Sequence, residues 1–150
     1  PLRLSRFCED LLNELRLLLG ENKVYFFNND FASEESIARV LKNSPIVFVD
    51  FLGDSFVKNT FTKLCEFEIS IIHATPSVNT KNREASFKEQ MNFLERIENH
   101  LFQLKFNHAG VIMPTTLSKE YSEMTKNGFL SIYKRRFEVM LYIENPYEEV

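Results

Sequence analysis

Between Cys65 and Ile71 every second residue is apolar: Cys65, Phe67, Ile69 and Ile71 alternate with Glu66, Glu68 and Ser70. A two-residue period suits an extended chain, because successive side chains of a strand point to opposite faces of a sheet. The segment predicts a strand with one face on a core and the other in water. Such a sheet needs an apolar cover, and amphipathic helices are the usual one.

Two stretches have that character. From Leu2 to Leu19 the residues Leu4, Phe7, Cys8, Leu11, Leu12, Leu15, Leu18 and Leu19 recur at three- and four-residue steps and stripe one helical face, while Arg3, Arg6, Asp10, Asn13 and Glu14 occupy the other. Gly20 then suits the positive-φ residue just past the helix end. Phe87, Met91, Leu94, Ile97, Leu101 and Leu104 mark a second long helix, with Phe93 and Phe102 off its stripe. A short capped helix is predicted between Ser33 and Asn43, where Pro45 enforces a break.

The remaining elements read as strands and turns. Lys23 to Phe27 is a short strand followed by the turn residues Asn28, Asn29 and Asp30. Ile46 to Leu52 is apolar on both alternating sets except at Asp50, which predicts a central strand buried on two faces and ended by Gly53 and Asp54. Ser55 to Thr62 is a loop or hairpin arm punctuated by Phe56, Val57 and Phe61, and Thr75 to Arg83 is a turn-rich loop containing Pro76. Gly110 to Leu117 is a short strand that Pro114 confines to an edge or a strand end. From Phe129 to Ile143 a long strand sets Tyr133, Phe137, Val139, Leu141 and Ile143 against Lys134, Arg136, Glu138 and Tyr142. If it lies antiparallel to the alternating strand, Glu66 and Glu68 face Lys134 and Arg136, each pairing worth about 0.2 to 1 kcal/mol.

The sum is one α+β domain over residues 1–150: a mixed, mostly antiparallel sheet of about four to five strands, with two long helices packed mainly on one face. Fifteen Phe and no Trp make large aromatics a main constituent of its core. A net charge of -3 gives neither nucleic acid nor an anionic membrane a basic surface to bind. No apolar run is long enough to span a bilayer, and Arg3, Arg6, Glu9 and Asp10 interrupt any signal-peptide core, so a soluble, cytoplasmic protein is expected. The chain opens on Pro1 and not on methionine, so further residues upstream are an expectation.

Motifs that carry chemistry are sparse. Cys8 and Cys65 match no metal-ligand or redox spacing and read as two small buried hydrophobes in a reducing compartment. His73, His100 and His108 show no H-x-x-x-H pattern, and His100 falls on the wet face of its helix. Four glycines leave little material for a phosphate cradle, and nothing in the sequence sets a nucleophile beside a base. Catalytic, cofactor-binding and metal-binding residues are therefore each expected to be none. The rival reading is a magnesium nuclease built on Asp50, Glu66 and Glu68, but the position where such an enzyme places lysine holds Glu68, so a solvated or cross-strand-paired acidic face fits better. Lys134, Arg135 and Arg136 are too narrow a cluster for nucleic acid. Alternation turns Arg135 to the face opposite its neighbours, where it serves either an ion pair with another subunit or a solvated strand end.

Four segments together resemble the small tail-assembly proteins of Mu-like phages and prophages: Pro45-Ile-Val-Phe-Val-Asp-Phe-Leu-Gly53, Cys65-Glu-Phe-Glu-Ile-Ser-Ile-Ile72, Asn82-Arg-Glu-Ala85 leading into a long helix, and Ser131-Ile-Tyr-Lys-Arg-Arg-Phe-Glu-Val-Met-Leu-Tyr142. The resemblance covers most of the chain. It implies a tail-terminator-like fold and a structural, non-enzymatic role as a tail terminator or tail-completion protein. Its copies would form a homo-oligomeric ring through sheet edges and the loops Gly53 to Thr62 and Ala74 to Arg83. It also implies tail or head-completion proteins as partners, no small-molecule substrate, and residence in the bacterial host cytoplasm during assembly and in the virion tail afterwards. An adaptor domain unrelated to phage is the third reading.

Overall fold

A computed structural model describes residues 3–26, 42–58, 60–75, 80–125 and 128–142. Its elements run α1 (Arg3–Leu19), a 3₁₀ turn (Glu21–Lys23), β1 (Val24–Phe26), β2 (Ile46–Phe56), β3 (Thr62–Thr75), α2 (Thr80–Gln103), β4 (Met113–Thr125) and β5 (Gly128–Tyr142). The sheet order is β1-β2-β3-β5-β4, with β1 parallel to β2 and every other neighbour antiparallel. This is the α+β class that the alternating strands and striped helices predict. The short helix expected between Ser33 and Asn43, the turn at Asn28 to Asp30 and Ile143 lie, wholly or almost wholly, outside the described residues.

Odd-numbered residues of β3 and β5 share the face that the two helices cover. Phe7, Leu11 and Leu15 from α1 and Phe93, Leu94, Ile97 and Leu101 from α2 close over Val47, Val49, Cys65, Phe67, Ile69, Ile71, Phe137, Val139 and Leu141. The cross-strand partners Phe67 and Phe137 stack at 5.1 Å between ring centroids, and Phe7 tilts onto Phe67 at 6.0 Å. Each fully buried ring of this kind contributes about 1.5–3 kcal/mol relative to exposure.

Phe87 departs from the expected helix stripe: it is 46% exposed, whereas Phe93, expected off the stripe, is buried. The buried face of α2 is instead set by Gln90, Phe93, Leu94, Ile97 and Leu101. A polar residue at 90 hides this rotation from a hydrophobic pattern.

The helix-free face carries its own small cluster, in which Ile46, Phe48 and Ile72 are buried against Tyr25, Ala74, Leu130 and Ile132. The first half of β2 is thus buried on both faces, as its unbroken apolar run predicts. The second face of β3 is less watery than its alternation suggests, since Ser70 and Ile72 are buried while Glu66 and Glu68 are half-buried.

Three boundaries also differ from the sequence reading, the first being that α2 begins at Thr80, inside the stretch from Thr75 to Arg83 expected to be a loop. Gly53 and Asp54 do not end β2; the strand continues to Phe56 through a bulge in which Phe51 pairs with Phe67 but Gly53 with Glu66, leaving Leu52 as the extra residue. Gly53 takes φ +141 there, with open space where a Cβ would sit, so glycine serves the backbone angle and not a close approach. β4 is far longer than the strand expected at Gly110 to Leu117, yet it is an edge strand, and Pro114 sits in it as predicted.

Candidate functional site

Three places bring polar or exposed groups together. The first is the row proposed as a nuclease centre. Asp50 and Glu68 are direct cross-strand partners, and Arg136 stands beside Glu68 on the next strand, its Nη2 donating to Glu68 Oε1 at 3.0 Å. Burial and then the Glu68 charge push the Asp50 carboxyl above its ordinary value, with Lys134 acting against them. Glu66 faces Glu138 and not a cation, so only one of the two expected acid–base pairings forms. Among the described residues no three His, Cys, Asp or Glu side chains gather closely enough to hold a metal ion. Glu68 is committed to a guanidinium, and the row acts as a cross-strand ladder.

The second place is a network that sequence spacing does not show. Glu89 Oε2 lies 3.0 Å from His73 Nε2, His73 Nδ1 lies 3.4 Å from Thr75 Oγ1, and Thr75 Oγ1 is hydrogen-bonded to Ser86 Oγ. Beside it Gln90 Nε2 donates to the Ile71 and Ser131 carbonyls at 2.8 and 3.1 Å, and Ser131 Oγ donates to Gln90 Oε1 at 3.0 Å.

An acid, an imidazole and a hydroxyl in series do set a base beside a nucleophile, contrary to the expectation from sequence. The two hydroxyls bond each other, however, and the adjoining cavity of about 70 Å³ is of a size for a few waters. The arrangement satisfies buried polar groups and locks α2 onto β3 and β5. Residues 73, 75, 86, 90 and 131 meet only because α2 runs back across the sheet, which local pattern cannot reveal.

Arg135, His100 and the cysteines resolve in the same structural way. Arg135 is not a solvated strand end: its Nε donates to Glu98 Oε1 at 2.6 Å, tying β5 to α2 within the chain. His100 pairs with Glu14 at 3.2 Å and so links the two helices. Cys65 is buried in the core, and burial, followed by the nearby Cys8, pushes its thiol up to about 12, while burial also raises Cys8. Among the described residues no helix is long and apolar enough to cross a membrane.

The third place is the exterior of the sheet's two ends. The β2–β3 turn is closed by Val57 N donating to Thr62 O at 2.9 Å and by Thr60 Oγ1 donating to Val57 O at 2.9 Å. Around this turn Leu52, Phe56, Val57 and Phe61 are 39%, 66%, 37% and 46% exposed. Lys63 lies over the Phe56 ring at 5.0 Å and forms an ion pair with Asp54 at 3.7 Å.

At the other end, Arg83, Glu84, Phe87, Lys88 and Phe129 line an open groove of about 320 Å³. Arg83 lies over the Phe129 ring at 5.2 Å, and its Nε is buried with no hydrogen-bond partner. No protein-family profile matches the chain, and comparison with curated proteins finds no match either.

Proposed function

We propose that this chain is a non-enzymatic assembly module, a small tail-assembly protein of the phage or prophage kind, acting through contacts with copies of itself and with neighbouring tail or head-completion proteins. Its place would be the bacterial cytoplasm during assembly and the virion tail thereafter. The observation that carries this reading is the β2–β3 hairpin, where Phe56, Val57 and Phe61 face outward in the Gly53 to Thr62 loop expected to make subunit contacts, with Leu52 exposed just before it. By contrast, the polar clusters hold the fold together with bonds already satisfied. The sheet edges are poor contact surfaces: β1 has three residues, and β4 is blunted by Pro114 and by irregularities at Pro114/Leu117 and Lys119/Tyr121.

Co-expression with phage tail-tube and head-completion proteins from its own genome, where its neighbouring genes encode them, followed by affinity purification, tests the proposal. Stable co-purification is the expected result; a chain that always purifies without them defeats it. The nuclease alternative draws on the Asp50–Glu68 adjacency and is tested separately. Cleavage of DNA in Mg²⁺ that disappears in Asp50→Ala would replace the assembly reading.

A further inference from the structure

The hairpin and the groove lie at opposite ends of one strand. β3 begins at Thr62, beside the hairpin, and ends at Thr75, which pairs with Phe129 of the groove floor. Fourteen residues of strand separate the two by about 45 Å. α2 runs antiparallel to β3, since Gln90 reaches Ile71 while Glu98 reaches Arg135, the partner of Ile69. Its Arg83 to Lys88 segment therefore sits at the Thr75 end, away from the hairpin.

We propose that copies of this chain associate head to tail, the Phe56–Phe61 hairpin of one copy seated in the Phe87–Phe129 groove of the next. This rests on the assembly reading and adds to it a polarity and a pair of surfaces. The occupant follows from complementarity. The groove is floored by two aromatic rings and rimmed by Arg83, Glu84 and Lys88, an apolar centre inside a polar rim. Its volume admits an aromatic ring, and the most exposed aromatic side chain of the described residues is Phe56, 66% exposed.

A knob and a hole at opposite ends of one molecule could pair twice in a reciprocal two-fold dimer; in the head-to-tail arrangement proposed each neighbour takes one of them. That arrangement generates a heterologous contact that closes into a ring or runs on as a filament.

Heterologous contacts have a signature in mixtures. Sedimentation velocity of the full chain is expected to show species larger than a dimer at high concentration. Phe56→Asp removes the knob and Phe87→Asp the groove wall; both side chains are exposed, and circular dichroism of each variant checks that it folds. Each variant alone is expected to be monomeric, and a one-to-one mixture to form a dimer and nothing larger, because only one productive contact remains. Phe56→Ala, a milder change, is expected to weaken association about thirtyfold, the effect of removing a central aromatic anchor.

The inference is overturned if Phe56→Asp assembles like the parent, if the mixture stays monomeric, or if the parent chain is a monomer or stops at a dimer at every concentration. None of these outcomes depends on co-purification with tail proteins, so head-to-tail polarity fails separately from the assembly role.

Discussion

Replacing Gln90 removes the most completely buried polar side chain among the described residues, 0% exposed and hydrogen-bonded three times across the helix–sheet interface. At a net contribution of about 1 kcal/mol per bond, Gln90→Ala costs about 3 kcal/mol, and the vacated volume adds to this. A domain stable by about 5–15 kcal/mol loses a large share of its margin. Gln90→Leu refills the space but leaves the Ser131 hydroxyl without its acceptor, so its cost falls to about 2 kcal/mol. Gln90→Leu combined with Ser131→Ala removes both partners and recovers most of the loss. Urea unfolding followed by far-ultraviolet circular dichroism reads the order as shifts in midpoint at constant slope. A double variant as unstable as Gln90→Ala, or a Gln90→Ala protein within about 0.5 kcal/mol of the parent, refutes the claim that these bonds fasten α2 to the sheet.

Other perturbations follow from the same geometry. Arg135 and Glu98 are each about a fifth exposed, so a double-mutant cycle should give a coupling of about 1–2 kcal/mol. The Arg136–Glu68 pair, with Arg136 nearly half exposed, should couple more weakly than Arg135–Glu98 and lose that coupling in salt. Asp50 has a raised carboxyl pKa in the fold, so the folded state binds its proton more readily than the unfolded chain, and the cost of its charge is felt as pH rises through the folded value. Asp50→Asn should therefore be more stable than the parent at neutral pH, with the advantage vanishing below the ordinary value of 3.8 in pH-dependent denaturation. Alkylation at mildly alkaline pH, followed by mass spectrometry, should spare Cys65 in the native protein and label it only in denaturant, since its thiol is pushed up to about 12.

Much of the fold was legible because its elements obey single periods. The two-residue alternation from Cys65 fixed β3 and its core face, and the leucine stripe after Leu2 fixed α1 almost to the residue. Misreadings arose where a polar or small residue carried tertiary information. Gln90 turned the buried face of α2 away from Phe87, and Gly53 continued β2 through a bulge where it looked like a terminator. Arg135 appeared unpaired in one dimension because its partner, Glu98, lies 37 residues away on a helix packed over the strand. The exposed hairpin was half visible: Phe56, Val57 and Phe61 stood out in a polar loop, but only the sheet shows that the groove they would meet lies at its far end.

Hydrogen–deuterium exchange of the full chain, alone at rising concentration and mixed with the tail-tube and head-completion proteins proposed as its partners, tests most directly whether the molecule works through its surfaces. Slowed exchange confined to residues 52–61 and to the groove around residues 83–88 is the predicted outcome. Exchange unchanged at both ends, together with protection around Asp50 and Glu68 when DNA and Mg²⁺ are added, would contradict it.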